Sequence, residues 1–274
     1  RSADEEYGNG VHQWYCGMQD AGGVLQKGPW VGNRFHWYCL FDNEDYRITK
    51  GVKHRFQYDS QVKNGRGYYY PGTPEYKLMA TGKNMDDVKV QEPVAPFNDG
   101  LTYTNSISSN CLAFTTKYAD VTDPTIGRTD AYWPFLRYAD IVLIYAEAQC
   151  ELNDGISQDA IDALNDIRIR SNAKEASVTG DGAIETKVEL RSVIFEERAK
   201  ELAYEGDRRW DLLRWGIYLD VMNSLGGINE DGTRTPYDEG SINKRREFRH
   251  LLYPLPSLEV STNMAIDKNN PGWN

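Results

Sequence analysis

Apolar positions along this 274-residue chain change their period near residue 132. From 132 to 216 the spacing is helical. Tyr138, Ile141, Val142, Tyr145, Ala146 and Gln149 recur at i, i+3 and i+4, as on one face of a helix. Asn153-Asp154-Gly155 should stop that helix, and Ser157 can cap the next, whose stripe is Ala160, Ala163, Leu164 and Ile167. Thr186 with Glu189 three residues on has the form of a capping box. Gly206 and Gly216 stand where the last two helices should end. The pattern predicts helices over 135–152, 157–171, 186–205 and 207–216, linked closely enough to pair as antiparallel hairpins.

Residues 1–131 have little helical period. Turn signals recur there at Gly22-Gly23, Gly28-Pro29, Asn64-Gly65, Pro71-Gly72 and Asn98-Asp99-Gly100, with short strands expected at 53–58 and 112–117. After 224 the chain loosens again, and the prolines of Tyr253-Pro254-Leu255-Pro256 exclude a helix there. The expected fold class is mainly α: stacked helical hairpins resembling a TPR-type superhelix, without a clean sequence repeat, and a large irregular region carrying a few short strands. Three parts are expected: an aromatic, loop-rich part at 1–131, a helical core at 132–224, and a loop with a C-terminal tail at 225–274.

A formal net charge of −10 argues against a nucleic-acid partner and against docking on anionic lipid, since both need clustered Lys and Arg. No apolar run is long enough for a transmembrane helix. Cys16, Cys39, Cys111 and Cys150 lack CxxC spacing, and the four histidines lack HxxxH spacing, so no metal site or cofactor is expected. Asn229, Asp231 and Asp238-Glu239 offer hard oxygen ligands in a Gly-rich loop, but the EF-hand order is missing, so a solvated acidic loop is expected. Glu196, Glu197, Glu201, Glu205 and Asp211 include the paired carboxylates that a glycosidase uses. Arg198, Arg208, Arg209 and Arg214 lie among them, and an arginine beside a carboxylate lowers its pKa, the wrong direction for a general acid. The expectation is an ion-pair network with Glu197, Glu201 or Glu205 paired to one of those arginines, and no catalytic residue.

Three segments carry a family resemblance: RYADIVLIYAEA at 137–148, EERAKELAYEGDRRWDLLRWG at 196–216, and LYPLP at 252–256 closing with NPGW at 270–273. NDIRIR at 165–170 and the acidic-then-Arg stretch DNEDYR at 42–47 fit the same pattern. In this order they resemble the C-terminal signature of the SusD/RagB family. The resemblance is specific over 133–273 and loose before it. It implies a lipid-anchored, surface-exposed outer-membrane protein that does no covalent chemistry. Such a protein sits over a SusC-like TonB-dependent transporter and binds glycans or other nutrients. The resemblance also implies an N-terminal helical part that completes the superhelix; it is expected to be missing from these 274 residues, as in a fragment or a shortened member. Beginning at Arg1 without an apolar leader, the chain is expected to be processed, trimmed or partial, with any anchoring cysteine upstream.

The ligand face is expected on the loop-rich part, because binding residues concentrate on loops held by a scaffold. A sugar's C–H face can lie on an indole or phenol ring while its hydroxyls meet polar groups at the edge. Trp30 and Trp37 flanked by Asn33 and Arg34, with Tyr68 and Tyr69 as a second platform, are the candidates, because turn residues adjoin both groups. Each ring taken alone also fits core filling, as expected for Trp133, Trp210 and Trp215 in the helical part. Two other functions compete: a glycoside hydrolase using the acidic cluster, and a helical scaffold or adhesin that binds protein.

Overall fold

A computed structural model of the chain describes residues 8–19, 25–27, 31, 37, 40–42, 44–53, 55–57, 64–67, 102–104, 114–224 and 246–273. The chain divides into two compact units, Arg1–Glu205 and Gly206–Asn274.

In chain order the first unit holds α1 (Val11–Cys16), β1 (Met18–Gln19), β2 (Leu25–Lys27), α2 (Tyr46–Thr49), β3 (Val52–Lys53), β4 (Arg55–Gln57), β5 (Asn64–Gly67), β6 (Thr102–Thr104) and β7 (Phe114–Thr115). Three long helices follow: α3 (Tyr138–Leu152), α4 (Gln158–Arg170) and α5 (Lys187–Glu201). The strands form small separate sheets. β1 pairs antiparallel with β2, β3 antiparallel with β7, and β5 lies between antiparallel β4 and parallel β6. The strands expected near 53–58 and 112–117 are present as β3, β4 and β7.

The main core lies among the three long helices. Leu143, Ala146 and Cys150 of α3 meet Ala160, Leu164 and Ile167 of α4 and Leu190 and Ile194 of α5, all nearly or wholly buried. Small residues at Ala146 and Ala160 let the backbones approach. The helix starts follow their expected chemistry. The Ser157 hydroxyl accepts from Ala160 N at 3.3 Å. Thr186 and Glu189 close a full capping box, with Thr186 Oγ1 accepting from Glu189 N at 3.1 Å and Glu189 Oε2 accepting from Thr186 N at 3.0 Å. α3 stops at Leu152, before Asn153-Asp154-Gly155.

Two expectations are corrected. The buried stripe of α3 is Ala139, Val142, Leu143, Ala146 and Cys150, whereas Tyr138, Ile141 and Tyr145 are exposed. The helix is apolar over most of its circumference, so spacing alone could not say which stripe meets α4 and α5. Second, α5 ends at Glu201, short of the expected 205. Tyr204 then takes a left-handed φ of 69° before Gly206 at 98°. A tyrosine rarely adopts that conformation. It is held by edge contacts of its ring with Tyr15 at 5.8 Å and Trp37 at 5.4 Å, while its carbonyl accepts from Tyr118 Oη at 2.9 Å.

A second cluster packs α1, β2 and β7 through Val11, Cys16, Leu25 and Phe114, with Tyr118 and Ala131. Trp133 stacks on Tyr118 at a centroid distance of 5.4 Å, and the Tyr15 ring is tilted against both at 5.0 and 5.6 Å. Trp133, expected in the core, is half-buried and packs against this cluster.

The second unit holds α6 (Arg208–Arg214), α7 (Tyr218–Ser224), a 3₁₀ turn at Phe248–Leu251 and α8 (Ser257–Thr262). α6 gives way at Gly216, whose φ is 74°. Arg209 organises this unit. Its guanidinium lies 4.7 Å from the Tyr218 ring and 4.6 Å from that of Tyr253, and Nη2 donates to His250 O at 2.8 Å. Trp210, expected in the core, is instead 57% exposed, its ring 6.2 Å from that of Tyr253, which is itself exposed. Residues 254–256 carry no helix, as their prolines require, although α8 begins directly after them.

Candidate functional site

The densest chemistry in the first unit gathers at the C-terminal end of α5. Glu197 and Glu201 are one turn apart and share a face, and Glu205 follows just beyond the left-handed Tyr204. All three are buried.

Their partners come from elsewhere in the chain. Glu197 lies between Arg47 Nη1 at 2.6 Å and Arg168 Nε at 2.8 Å. Glu201 accepts from Arg170 Nη2 at 2.7 Å, Arg137 Nη1 at 3.1 Å and Arg47 Nη1 at 3.3 Å. Glu205 takes a bidentate fork from Arg137, with Nε and Nη2 each at 2.7 Å, and a short bond from Lys117 Nζ. The expectation of neighbouring arginines is therefore corrected. Arg198 reaches Asp140 at 2.9 Å, and Arg214 meets Asp211 at 3.0 Å. Residues close in sequence on one helix fan around its axis, so a buried carboxylate draws its partners from the elements packed on that face.

Local structure aims each cation. Asp45 caps α2 by accepting from Arg47 N at 2.8 Å, and the same carboxylate grips the Arg47 guanidinium at Nε (3.0 Å) and Nη2 (2.7 Å). Tyr46 N donates to Ser171 O at 2.8 Å, fastening α2 to the end of α4. A Cβ at Gly51 would stand 2.5 Å from Arg47 O, so only glycine lets the chain turn this closely behind Arg47. Arg168 and Arg170 occupy the last turn of α4, where cations suit the helix dipole. Lys117 Nζ donates to Glu201 O at 3.1 Å and Ala203 O at 2.9 Å, and Arg137 Nη2 to Glu201 O at 3.0 Å. These two cations satisfy carbonyls that the end of α5 leaves unpaired.

The charges set the protonation states. Burial opposes ionisation of Glu201, but Arg170, Arg47 and Arg137 outweigh it and hold the carboxyl below the ordinary carboxylate range. Burial likewise opposes the charge of Arg47, yet Asp45 and Glu197 raise its pKa above normal. At Lys117 burial prevails over the attraction of Glu205, and the pKa falls. Burial pushes the Tyr204 phenol up. Glu201 is thus a fixed anion with its oxygens engaged, which suits a lock between helices and not a proton donor. Among the described residues, no group of three or more His, Cys, Asp or Glu is arranged to hold a metal ion.

Of the expected ligand residues, Trp37 lies beside this cluster. Its Nε1 donates to Ala199 O at 2.7 Å, and its ring meets Phe41 edge-on at 4.7 Å. Trp37 also borders a cavity of about 160 Å³ lined by Arg47, Thr115, Lys117, Lys200, Glu201 and Tyr204. Trp30, Asn33, Arg34, Tyr68 and Tyr69 lie outside the described residues. Reading from the sequence missed Arg47, Lys117, Arg137, Arg168 and Arg170 as partners of the glutamates. All but Lys117 lie within the segments DNEDYR, RYADIVLIYAEA and NDIRIR, so the signal was present without its pairing.

Stacked helical hairpins bound to a loop-and-strand region by a buried arginine–glutamate lock define a helical scaffold class, and its signature segments narrow it further. The SusD family model matches residues 32–273, and the chain belongs to that family. It is 33% identical to the SusD-like protein P2 of Formosa agariphila over 142 residues, 50% of this chain and 25% of that one. It is 36% identical to SusD-like protein P38 of the same organism, again over 50% of this chain and 25% of the relative. Among solved structures, a SusD homolog from Bacteroides thetaiotaomicron superposes with a TM-score of 0.56 at 22% identity, covering 87% of this chain and 43% of that one. A SusD superfamily protein from Parabacteroides distasonis gives 0.53 at 17% identity, covering 100% and 48%. These two likenesses support the fold. The match spans about a quarter of the length of the curated relatives.

Proposed function

We propose that this chain is part of a non-catalytic glycan- or nutrient-binding protein at the bacterial cell surface. It serves an outer-membrane uptake system and delivers ligand to a SusC-like TonB-dependent transporter. The observation that carries this reading is the family match over residues 32–273. The arrangement of the acidic cluster supports it. A retaining or inverting glycosidase needs one carboxyl held protonated at working pH. Glu197, Glu201 and Glu205 instead each meet at least two cations.

The ligand face we favour is the loop-rich part carrying Trp30, Asn33, Arg34, Trp37, Tyr68 and Tyr69. Stacking one sugar on one ring removes modest apolar area at about 25 cal/mol per Å², so useful affinity needs two or three rings. A glycan array with the full chain should identify the ligand, followed by titration calorimetry on Trp30→Ala, Trp37→Ala and Tyr69→Ala, each first checked for folding by circular dichroism. Affinity should fall in at least one folded variant. Trp37→Ala should also lower the melting temperature, because the Nε1 bond to Ala199 O is lost. Unchanged affinity in all three would move the site off this part of the chain.

A protein-binding role is the second reading. The exposed apolar face of α3 favours it.

A further inference from the structure

The cavity of about 160 Å³ beside Trp37 lies between the end of α5 and the residues that follow β7. Trp37 and Tyr204 border it, their rings edge-on at 5.4 Å. Arg47, Lys117 and Lys200 line it as well, against a single carboxylate, that of Glu201.

These charges are not equally spent. Lys117 Nζ has three acceptors, Glu201 O, Ala203 O and the Glu205 carboxylate, as many as an ammonium has hydrogens. Arg47 commits Nε and Nη2 to Asp45, and Nη1 to Glu197 and Glu201. The Glu201 oxygens are taken by Arg170, Arg137 and Arg47. Lys200 differs. Its side chain is 8% exposed, yet among the described residues its one charged partner is Glu196, at 2.6 Å, and that carboxylate is 44% exposed to water. The ammonium also lies 5.8 Å from the Phe41 ring. A buried charge is costly unless it is paired and hydrogen-bonded, and one solvated partner leaves N–H donors of Lys200 for an acceptor in the cavity.

We infer that the cavity receives one acidic sugar unit, a uronate, with its carboxylate on Lys200 Nζ and its C–H face toward Trp37 and Tyr204. The inference rests on the glycan-binding reading above and names the class of ligand within it. Sites for larger ligands run to about 300–1,000 Å³, so this cavity admits a single ring and not a stretch of chain. A uronate suits that space, because its carboxylate replaces the exocyclic hydroxymethyl group with almost no added volume, whereas a sulfate ester adds a bulky group. A neutral sugar brings only hydroxyls, and hydrogen bonds between ions are roughly twice as strong as those between neutral groups. The chain's net charge of −10 opposes an anion at long range, but screening over about 8 Å at physiological salt leaves the decision to the groups lining the cavity.

The test uses the full 274-residue chain and an array that carries uronate-containing oligosaccharides beside their carboxyl-reduced counterparts, with sulfated neutral oligosaccharides as a third arm. The best uronate ligand should bind about tenfold or more tightly than its carboxyl-reduced form, the size expected of a hydrogen bond to a charged group. Titration calorimetry on Lys200→Met follows, a variant that keeps the buried stem and removes the ammonium. It should weaken the uronate ligand by a similar factor and the carboxyl-reduced form far less. A merely structural role for Lys200 would weaken both forms alike, and that result would overturn the inference. Equal binding of the two forms by the native chain would overturn it whether or not the variant folds, while leaving the glycan-binding role standing. Preference for the sulfated arm would overturn it in favour of a sulfate ester. Binding of no glycan on any arm would remove both the inference and the role on which it rests.

Discussion

At the residue scale, Glu197 and Glu201 turn a run of sequence into a tertiary lock. Glu197 is wholly buried between Arg47 and Arg168. Removing one partner of a buried pair leaves a charge uncompensated and costs about 3–5 kcal/mol, so Glu197→Gln should lower the denaturant midpoint by a corresponding amount. Arg47→Met should cost at least as much, because it strands Asp45 as well as the glutamates. The pH dependence follows from the depressed pKa of Glu201. A carboxyl whose folded pKa lies below its unfolded value, about 4.3, contributes fully above that value and loses the contribution as pH falls through the folded pKa. Stability measured by urea melts should therefore hold from neutrality to about pH 5 and decline below it, and Glu201→Gln should flatten that decline. An equally steep acid decline in the variant would remove Glu201 as a cause. Sequence showed that these carboxylates belong to ion pairs. It could not show the partners, because Arg47 and Arg137 reach the helix end only through tertiary packing.

At the element scale, the three long helices were largely legible because caps and period agree. Ser157, Thr186 and Glu189 act as their spacing says. Thr186→Ala should cost about 1 kcal/mol, and Thr186→Ser much less, since serine keeps the acceptor for Glu189 N. Leu164→Ala, at a fully buried position facing α3 and α5, should cost about 2–5 kcal/mol, read as a lowered urea midpoint. Gly51→Ala tests the loop behind α2. Its Cβ would press on Arg47 O, so the variant should lose stability and shift the Arg47 guanidinium resonances in NMR spectra. The face of α3 was misread because both of its candidate stripes are apolar. The end of α5 was misread because Tyr204, a residue with no special liberty of φ, takes the left-handed turn ahead of Gly206. Neighbouring rings impose that choice, and no local signal announces it.

At the scale of the whole molecule, the family was legible from ordered signature segments, and the match over 32–273 bears it out. The segments include residues of the lock, Arg137, Arg168, Arg170, Glu197, Glu201 and Glu205, and its extension to Arg47 lies in the looser stretch upstream. The ligand was not legible, because stacking on aromatics does not specify a sugar. If the proposed role holds, affinity purification of the full-length protein from its native outer membrane should recover a large β-barrel protein, and recovery of soluble partners alone would count against it. The central claim is that the acidic cluster holds the fold and leaves ligand binding to other residues. The measurement that tests it most directly is paired calorimetry on Glu201→Gln: a thermal melt, and a titration with the glycan that the array identifies. The account predicts a lowered melting temperature with an unchanged Kd. Lost binding at an unchanged melting temperature would contradict it and make Glu201 part of the site.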